Sequence, residues 1–409
     1  MGNAAASYML VQIIQPELFE MLRYDRPDSH KMALFDAAFE RCSLIVQFRL
    51  AQDLQHRFDL DDFDEPYPSK IMELHKKVAE HGLAQAQMVL GQCYENGDGV
   101  GQDYSKAIEW YSKAADQGSE DGRLHLVFLH AWFSFIGHGV EQSDEVALAH
   151  WQEISTHSTN RDLKSIATHM VGWMHYLGRG TQQDKQKGIK IIRENRSQFF
   201  PLGEDECLAG RNCMFSDYYA SRKFFEMCKL GAEHDWLCAH LMAVCQIQGF
   251  GTLPDRSKDT KRVFEQLADT GMYSEAMVWL GRCFQNGWGV GDVCKEMSLH
   301  WFTKAAELGN SYGQWMVGEC CLHGHGAERD PVKALDWLHK SADQHNQYAQ
   351  HALGGYYNDR FHKNSNLAIL YYSSAAEQGH ENAKRVLKKL TRSRRPSERG
   401  MASKQVGPS

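Results

Sequence analysis

Glycine, cysteine and histidine residues are the groups in this sequence whose types and spacing could do chemistry. A glycine-rich run from Gly97 to Gly101 has the composition of a loop that cradles phosphate. It follows a helical pattern rather than a strand, and a similar run recurs from Gly287 to Gly291. A phosphate loop connects a strand to a helix, so a repeated turn explains both runs better.

Eleven cysteines are present, and cysteine can bind metal or act as a nucleophile. Cys93, Cys245, Cys283 and Cys320 each lie two residues after a glycine or alanine that recurs along the chain. A shared position of this kind favours packing, because buried cysteine behaves as a small hydrophobic residue. The pairs at 207 and 213 and at 238 and 245 lack zinc-ligand spacing.

His323 and His325 flank a turn glycine, and a metal ion there would need further ligands that the sequence does not bring near. No cluster of titratable residues stands out from the chain. We therefore predict no catalytic residues, no metal site and no cofactor.

An internal repeat is the strongest signal in the sequence. Residues 90–100 and 280–290 match closely, and each stretch is followed by an aromatic pair and by a glycine about 20 residues later. Equivalent anchor positions recur at intervals of 33 to 41 residues. The eight anchors are Gly91, Ala131, Gly172, Gly210, Ala243, Gly281, Gly318 and Gly354.

Each unit is predicted to be a pair of helices. Apolar residues follow helical spacing around Gly91, and a glycine inside a helix costs roughly 1 kcal/mol, so its recurrence suggests that a neighbouring helix comes close there. Later glycines end the first helix, and Asp103 is a plausible N-cap of the second helix. The glycines expected to have these structural roles are Gly91, Gly97, Gly99, Gly172, Gly281, Gly287, Gly289, Gly318, Gly324, Gly326 and Gly354.

The repeat resembles the Sel-1-like repeat, a relative of the tetratricopeptide repeat. The residues that carry the match are Ala86, Leu90, Gly91, Tyr94, Gly97, Gly99, Val100, Asp103, Lys106, Ala107, Trp110, Tyr111, Ala114, Ala115 and Gly118. The resemblance implies an all-α fold, a right-handed α-solenoid superhelix of about eight tandem antiparallel helix pairs. It also implies adaptor or scaffold roles rather than one particular partner.

The expected organisation has five parts. Residues 1–35 form an N-terminal segment, and 36–82 form a diverged first repeat with an acidic, solvated loop at 59–66. The repeats occupy 83–379, a basic amphipathic helix at 380–391 caps them, and 392–409 form a disordered basic tail.

Charge and the chain ends bear on partners and location. The net charge is −7, and residues 380–409 contribute nine basic and two acidic residues, or +7, which leaves −14 for the rest. An acidic body disfavours nucleic acid as the main ligand. The N-terminus lacks the pattern of a secretory signal, so a cytoplasmic protein is expected. Gly2 is a conceivable myristoylation site, although the motif prefers Ser or Thr where Ala6 stands.

Partner-binding residues are assigned by analogy with tetratricopeptide-like superhelices, in which the first helix of each unit lines the concave face. Aromatic residues and arginines at these positions are typical anchors of protein interfaces. The predicted set is Phe128, Trp132, His169, Trp173, Tyr176, Arg211, Arg282, Tyr312, Trp315 and Tyr348, with Phe135 and His351 in the same register. An alternative is that some of these residues, notably Trp132 and Phe135, simply seal a degenerate stack.

The leading hypothesis is a non-enzymatic interaction scaffold that binds partner proteins or peptides on its concave face. One alternative is a membrane-associated regulatory subunit, recruited by N-terminal lipidation or by the basic tail. A less favoured alternative is a hydrolase of the cysteine-rich Sel-1-like kind.

Overall fold

The computed structural model describes residues 9, 29–60, 69–211 and 215–393, and this part of the chain is helical, with no strand longer than one isolated bridge. It divides into unit 1, residues 1–167, and unit 2, residues 168–409. The lipidation candidate Gly2, most of the acidic loop at 59–66 and nearly all of the basic tail lie outside the described residues.

The helices follow one another along the chain with short connections. They are α1 (Ser29–Glu40), α2 (Leu44–Leu60), α3 (Ser69–Glu80), α4 (Ala84–Asn96), α5 (Tyr104–Asp116), α6 (Glu120–Ile136), α7 (Asp144–His157), α8 (Arg161–Leu177), α9 (Lys185–Asn195), α10 (Glu204–Cys207), α11 (Tyr219–Gly231), α12 (Trp236–Gln248), α13 (Lys258–Asp269), α14 (Ser274–Asn286), α15 (Lys295–Glu307), α16 (Ser311–His323), α17 (Pro331–Asp343), α18 (Gln347–Asn358), α19 (Ser365–Glu377) and α20 (Glu381–Ser393).

The pair α4–α5 shows why each unit folds as it does. Gly97 adopts φ +85° and its N–H donates to the carbonyl oxygen of Cys93, which closes the first helix. Asp103 then caps the second helix by accepting a hydrogen bond of 3.0 Å from the backbone N–H of Lys106. Gly99 has φ +68°, and the equivalent glycines of later turns are also left-handed, so the turns use glycine for its conformational freedom.

The glycines inside the first helices lie where the two helices of a pair approach most closely. A Cβ built on any of the five anchor glycines in these helices would lie 2.5 to 2.8 Å from a side-chain atom of the second helix, too close for a real contact. The contacts are Gly91 with Tyr111, Gly172 with Ile192, Gly281 with Phe302, Gly318 with Leu338 and Gly354 with Tyr372.

One anchor differs from the prediction. Gly210 does not lie in a helix; it has φ +60° and belongs to a mainly irregular stretch in which α10 is a single helical turn. The described residues therefore contain seven helix pairs, and the unit expected around Gly210 keeps only its second helix, α11. We call residues 197–211 the inner segment.

Helices flank the repeats on both sides. In unit 1, Phe35, Phe39, Leu50 and Leu74 from α1–α3 form a buried cluster that continues into α4. In unit 2, α20 packs on α19 through the buried Ala383. The exact domain boundaries stay predictions.

Four cysteines at the shared repeat position are buried, as packing residues are expected to be: Cys93, Cys245, Cys283 and Cys320. No described helix is both long enough and apolar enough to cross a lipid bilayer.

Candidate partner-binding groove

The predicted binding residues of unit 1 lie in its interior rather than in an open groove. Phe128 and Trp132 are fully buried, and so is Phe135. The Trp132 ring lies 5.4 Å from the ring of Trp151 on the second helix and 6.4 Å from that of Phe128. This arrangement is the alternative that the sequence left open, in which large rings seal the stack. Whether a partner contacts these residues stays a prediction.

Three predicted residues on α8 are also buried. The indole nitrogen of Trp173 donates to a ring nitrogen of His169 at 3.1 Å, and the hydroxyl of Tyr176 donates to Glu275 at 3.1 Å. His169 also contacts Phe200 of the inner segment, with ring centroids 5.3 Å apart. These positions are not open, because Phe200 of the inner segment packs on His169 and α12 packs on Trp173.

The first helices α14, α16 and α18 of unit 2 share a face, which we call the unit 2 groove and define by Trp279, Arg282, Tyr312, Trp315, Gln347 and Tyr348. All six residues are buried. They are buried because the inner segment lies across this face and hydrogen-bonds to residues of all three helices.

The groove holds the backbone of the inner segment by its carbonyl oxygens. The indole of Trp279 donates to the carbonyl of Cys207 at 2.9 Å. The guanidinium of Arg282 donates twice to the carbonyl of Ala209, at 2.7 and 3.1 Å. Carbonyl recognition of this kind depends on the path of the backbone rather than on its side chains.

The carboxylates of the inner segment meet a second set of donors. Glu204 accepts hydrogen bonds from the hydroxyl of Tyr312 at 2.9 Å and from the amide of Gln347 at 2.8 Å. Asp205 accepts one from the hydroxyl of Tyr348 at 2.8 Å. The groove therefore recognises two successive acidic side chains.

Arginines from the chain just before the inner segment complete the charge balance. Arg193 donates to Glu204 at 2.5 Å, and Arg196 forms an ion pair with Glu206 at 2.9 Å. Burial nevertheless raises the pKa of both Glu204 and Glu206, and the paired arginines only partly offset that effect. These carboxylates are therefore costly to bury, and their partners are needed to keep them ionised.

A pair of arginines flanks the aromatic part of the groove. The guanidinium of Arg282 lies 5.5 Å from the ring of Trp315, and that of Arg211 lies 5.8 Å from the same ring and 5.1 Å from the ring of Tyr348. Burial, with the charge of Arg211, lowers the pKa of Arg282 to about 10. Arg211 is exposed and His351 is partly exposed, whereas the other predicted binding residues are buried.

Sequence reasoning missed the acidic half of this arrangement and the donors Trp279 and Gln347. The signal for it was three successive acidic residues, Glu204 to Glu206, in a unit without the usual turn glycines.

Metal-binding and hydrolase motifs were also compared with the described residues. They contain no group of three or more His, Cys, Asp or Glu side chains arranged to hold a metal ion. Gly309 to Gly313 has the spacing Gly-x-Ser-x-Gly, which is typical of a hydrolase nucleophile after a strand. Here the sequence spans the turn after α15 and the first residues of α16, and Ser311 accepts a hydrogen bond from Asn346.

Comparison with known families agrees with this architecture. Six stretches match the Sel1 repeat, at residues 84–119, 128–155, 165–191, 274–310, 311–346 and 347–380. The chain is a Sel1 repeat protein. The gap between the third and fourth matches contains the inner segment, so this Sel1 protein departs from its family pattern where the groove is occupied. Sel1 repeat proteins are generally protein-interaction scaffolds, and their solenoids are typically non-enzymatic.

The individual proteins that match this chain are only distantly similar to it in sequence. Chitin synthase regulatory factor 3 of Schizosaccharomyces pombe is 26% identical over 75% of this chain, and the match spans only 28% of that protein. Two solved structures are similar to this chain. One is a protective antigen of uropathogenic Escherichia coli with an SLR fold, and the other is a Sel1 repeat protein of Oxalobacter formigenes. They are 24% and 22% identical, with TM-scores of 0.37 and 0.36, and the matches cover 80% and 91% of this chain and 68% and 93% of theirs.

Proposed function

We propose that this Sel1 repeat protein is a non-enzymatic scaffold that binds a short segment of a partner protein in the unit 2 groove. The observation that carries the proposal is that the groove already binds a short segment, its own residues 197–211, which include the single helical turn α10. It does so through backbone carbonyls and side chains at once, as peptide-binding surfaces do.

The composition of the groove supports this role. Trp279, Arg282, Trp315 and Tyr348 are of the residue types that dominate the energetics of protein interfaces. They lie on three successive repeats, and a partner segment that spans them would be held at several points. The relative from Schizosaccharomyces pombe is a regulatory factor by name, which suits a protein that acts on others.

The environment of the thiols argues against cysteine-based catalysis. Burial raises the pKa of Cys283 and of Cys320 to about 12, and it raises the pKa of Cys207 well above its usual value. A thiol must ionise to act as a nucleophile, and these surroundings oppose ionisation. We therefore propose that these three cysteines are packing residues and not nucleophiles.

Site-specific photo-crosslinking tests the proposal. A photoreactive residue replaces the exposed Arg211, which lies over the groove rings, and a matched control replaces Leu370, which is exposed on the second helix α19. Both full-length proteins are expressed in cells, and crosslinked proteins are identified by mass spectrometry.

We expect partner proteins to crosslink at position 211 and not at position 370. Two results would contradict a binding groove: the same proteins crosslinking at both positions, or no crosslink at 211 while purification of the unmodified chain recovers partners. A truncation of Trp173 or Trp315 is a poorer test, because both side chains are buried and their loss would destabilise the fold.

A further inference from the structure

We propose that the inner segment is a built-in competitor for the unit 2 groove, and that the external ligand is an acidic segment of a partner protein that displaces it. This inference rests on the proposed function and deepens it. It names the chemistry of the partner, which is two successive carboxylates on a short helical turn like α10. It also names a regulation, because the groove is closed until the inner segment leaves.

The first argument is that the inner segment stands outside the repeat stack. Where the register expects a first helix, the chain forms only the single turn α10. The second helix of that unit, α11, packs against α12 instead. The repeats on both sides are complete helix pairs without a helix at this place.

The second argument is that the contacts are those of a ligand. Within a repeat pair, apolar side chains and small residues pack together, as Gly318 and Leu338 do. The inner segment also buries apolar side chains, such as Leu202 and Leu208. Its contacts with the groove residues include directional hydrogen bonds to its carbonyls and carboxylates, at Cys207, Ala209 and Glu204. The donors come from residues more than 70 positions away in the chain.

The third argument concerns the strength of the contact. Glu204 and Glu206 are almost fully buried, and taking two carboxylates out of water offsets much of what their hydrogen bonds gain. The net affinity of the closed state is then modest, although each contact is well formed. A partner with matching carboxylates can replace the same hydrogen bonds one for one.

The position of the anchor explains how the inner segment could open without unfolding unit 2. Phe200 is fully buried between Phe224 and Phe250, with ring centroids 5.7 and 5.0 Å away, and it fixes the start of the inner segment. Residues 203–211 follow this anchor and make the groove contacts. Release of 203–211 would leave the aromatic anchor in place.

The test uses the full chain and a fluorescent synthetic peptide with the sequence of residues 197–211. A neutral version of the peptide carries glutamine or asparagine in place of its three acidic residues. The opened variant is Glu204→Gln, Asp205→Asn, Glu206→Gln. A charge-matched control variant is Glu194→Gln, Asp217→Asn, Glu226→Gln, which neutralises three exposed carboxylates outside the groove.

The opened variant should bind the acidic peptide at least about tenfold more tightly than the wild type and the control variant do. The neutral peptide should bind none of them. Equal affinity of wild type and opened variant would overturn the competition. Equal binding of the acidic and neutral peptides would overturn the acidic chemistry, and no binding to the opened variant would overturn both.

Two further measurements guard against a variant that fails to fold. Asp205→Asn alone removes the charge of one half-buried side chain and so weakens the hydrogen bond that it accepts from Tyr348, and it should raise affinity by a smaller factor, about threefold. On the wild type, a saturating concentration of the acidic peptide should speed hydrogen exchange at residues 203–211. Unchanged exchange there would place the peptide elsewhere and overturn the proposal. Partner crosslinks at position 211 in the earlier experiment would survive that failure, so the two proposals fail separately.

Discussion

At the scale of single residues, two adjacent glycines of α18 stand in opposite surroundings. A Cβ on Gly354 would lie 2.8 Å from the ring of Tyr372, whereas one on Gly355 would meet only the hydroxyl of that ring, at 3.7 Å. We expect Gly354→Ala to lower the free energy of unfolding by about 1–3 kcal/mol through overpacking. Gly355→Ala should raise it by about 0.5–1 kcal/mol, because alanine favours the helix.

Chemical denaturation of the two variants and the wild type measures both effects. Because the substitutions are the same and lie one residue apart, each serves as the control for the other. Equal effects of the two would mean that close helix contact is not the reason for glycine at the repeat anchor.

A buried histidine makes the stability of unit 2 depend on pH. His240 lies among the rings of Trp173, Trp236 and Phe264, and no other described residue hydrogen-bonds its ring nitrogens. Burial lowers its pKa from 6.5 to about 3 in the folded state. The contribution of the neutral His240 ring to the free energy of unfolding is therefore fully present above pH 6.5. It is lost as pH falls toward 3, because the unfolded chain takes up the proton first.

Because of this one ring, the free energy of unfolding should be about 2 kcal/mol lower at pH 5 than at neutral pH. The variant His240→Phe should keep the ring packing and lose that part of the pH dependence, as measured by thermal unfolding between pH 5 and 8. His138→Gln, at an exposed histidine, is the control and should follow the wild type. Parallel curves for all three proteins would rule out His240 as the source.

At the scale of helices, the repeats were predictable because the residues that end and begin the helices lie within each repeat. The glycine turn at Gly97 and the cap at Asp103 fix where helices end and begin, and both act over a few residues. The inner segment was not predictable in the same way. Its path is determined by donors such as Tyr312 and Gln347, which lie 108 and 143 residues away from Glu204 in the chain.

The same distinction between local signals and long-range contacts explains where the predicted binding residues lie in the structure. Register identified Arg282, Tyr312 and Tyr348 as facing one side, and these three side chains do meet one segment. Register could not show that this side is covered, or that Trp132 is enclosed by the rings of its own unit. Whether a helix face is covered depends on tertiary contacts, and these contacts leave no periodic pattern in the sequence.

Helix caps that also bridge repeats should matter more than caps that stand alone. Asn346 accepts hydrogen bonds from the backbone N–H groups of Tyr348 and Ala349 at the start of α18, and its amide donates to Ser311 of the preceding repeat. Asn364, at the start of α19, accepts one backbone hydrogen bond. We expect Asn346→Ala to cost about 2 kcal/mol and Asn364→Ala about 0.5–1 kcal/mol. Urea denaturation measures both, and a larger cost at Asn364 would contradict the bridging role.

At the scale of the whole molecule, a linear repeat array transmits stability only between neighbours. Unit 2 departs from that rule because Glu204 joins parts of the array that are far apart. Its carboxylate is bound by Arg193 of α9, by Tyr312 of α16 and by Gln347 of α18. Loss of this one side chain should therefore loosen three repeats together rather than one.

We expect Glu204→Ala to lower the free energy of unfolding by roughly 2–3 kcal/mol, since it leaves Arg193, with 22% of its side chain exposed, without its buried partner. Hydrogen exchange should speed up in α9, α16 and α18 at once. Glu194→Ala, on the same helix as Arg193 but exposed, is the matched control and should change exchange only near itself. If hydrogen exchange in the Glu204→Ala variant rose only at residues 203–211, the inner segment would not connect the three repeats. Unit 2 would then behave as an ordinary linear array, in which each repeat is stabilised only by its neighbours.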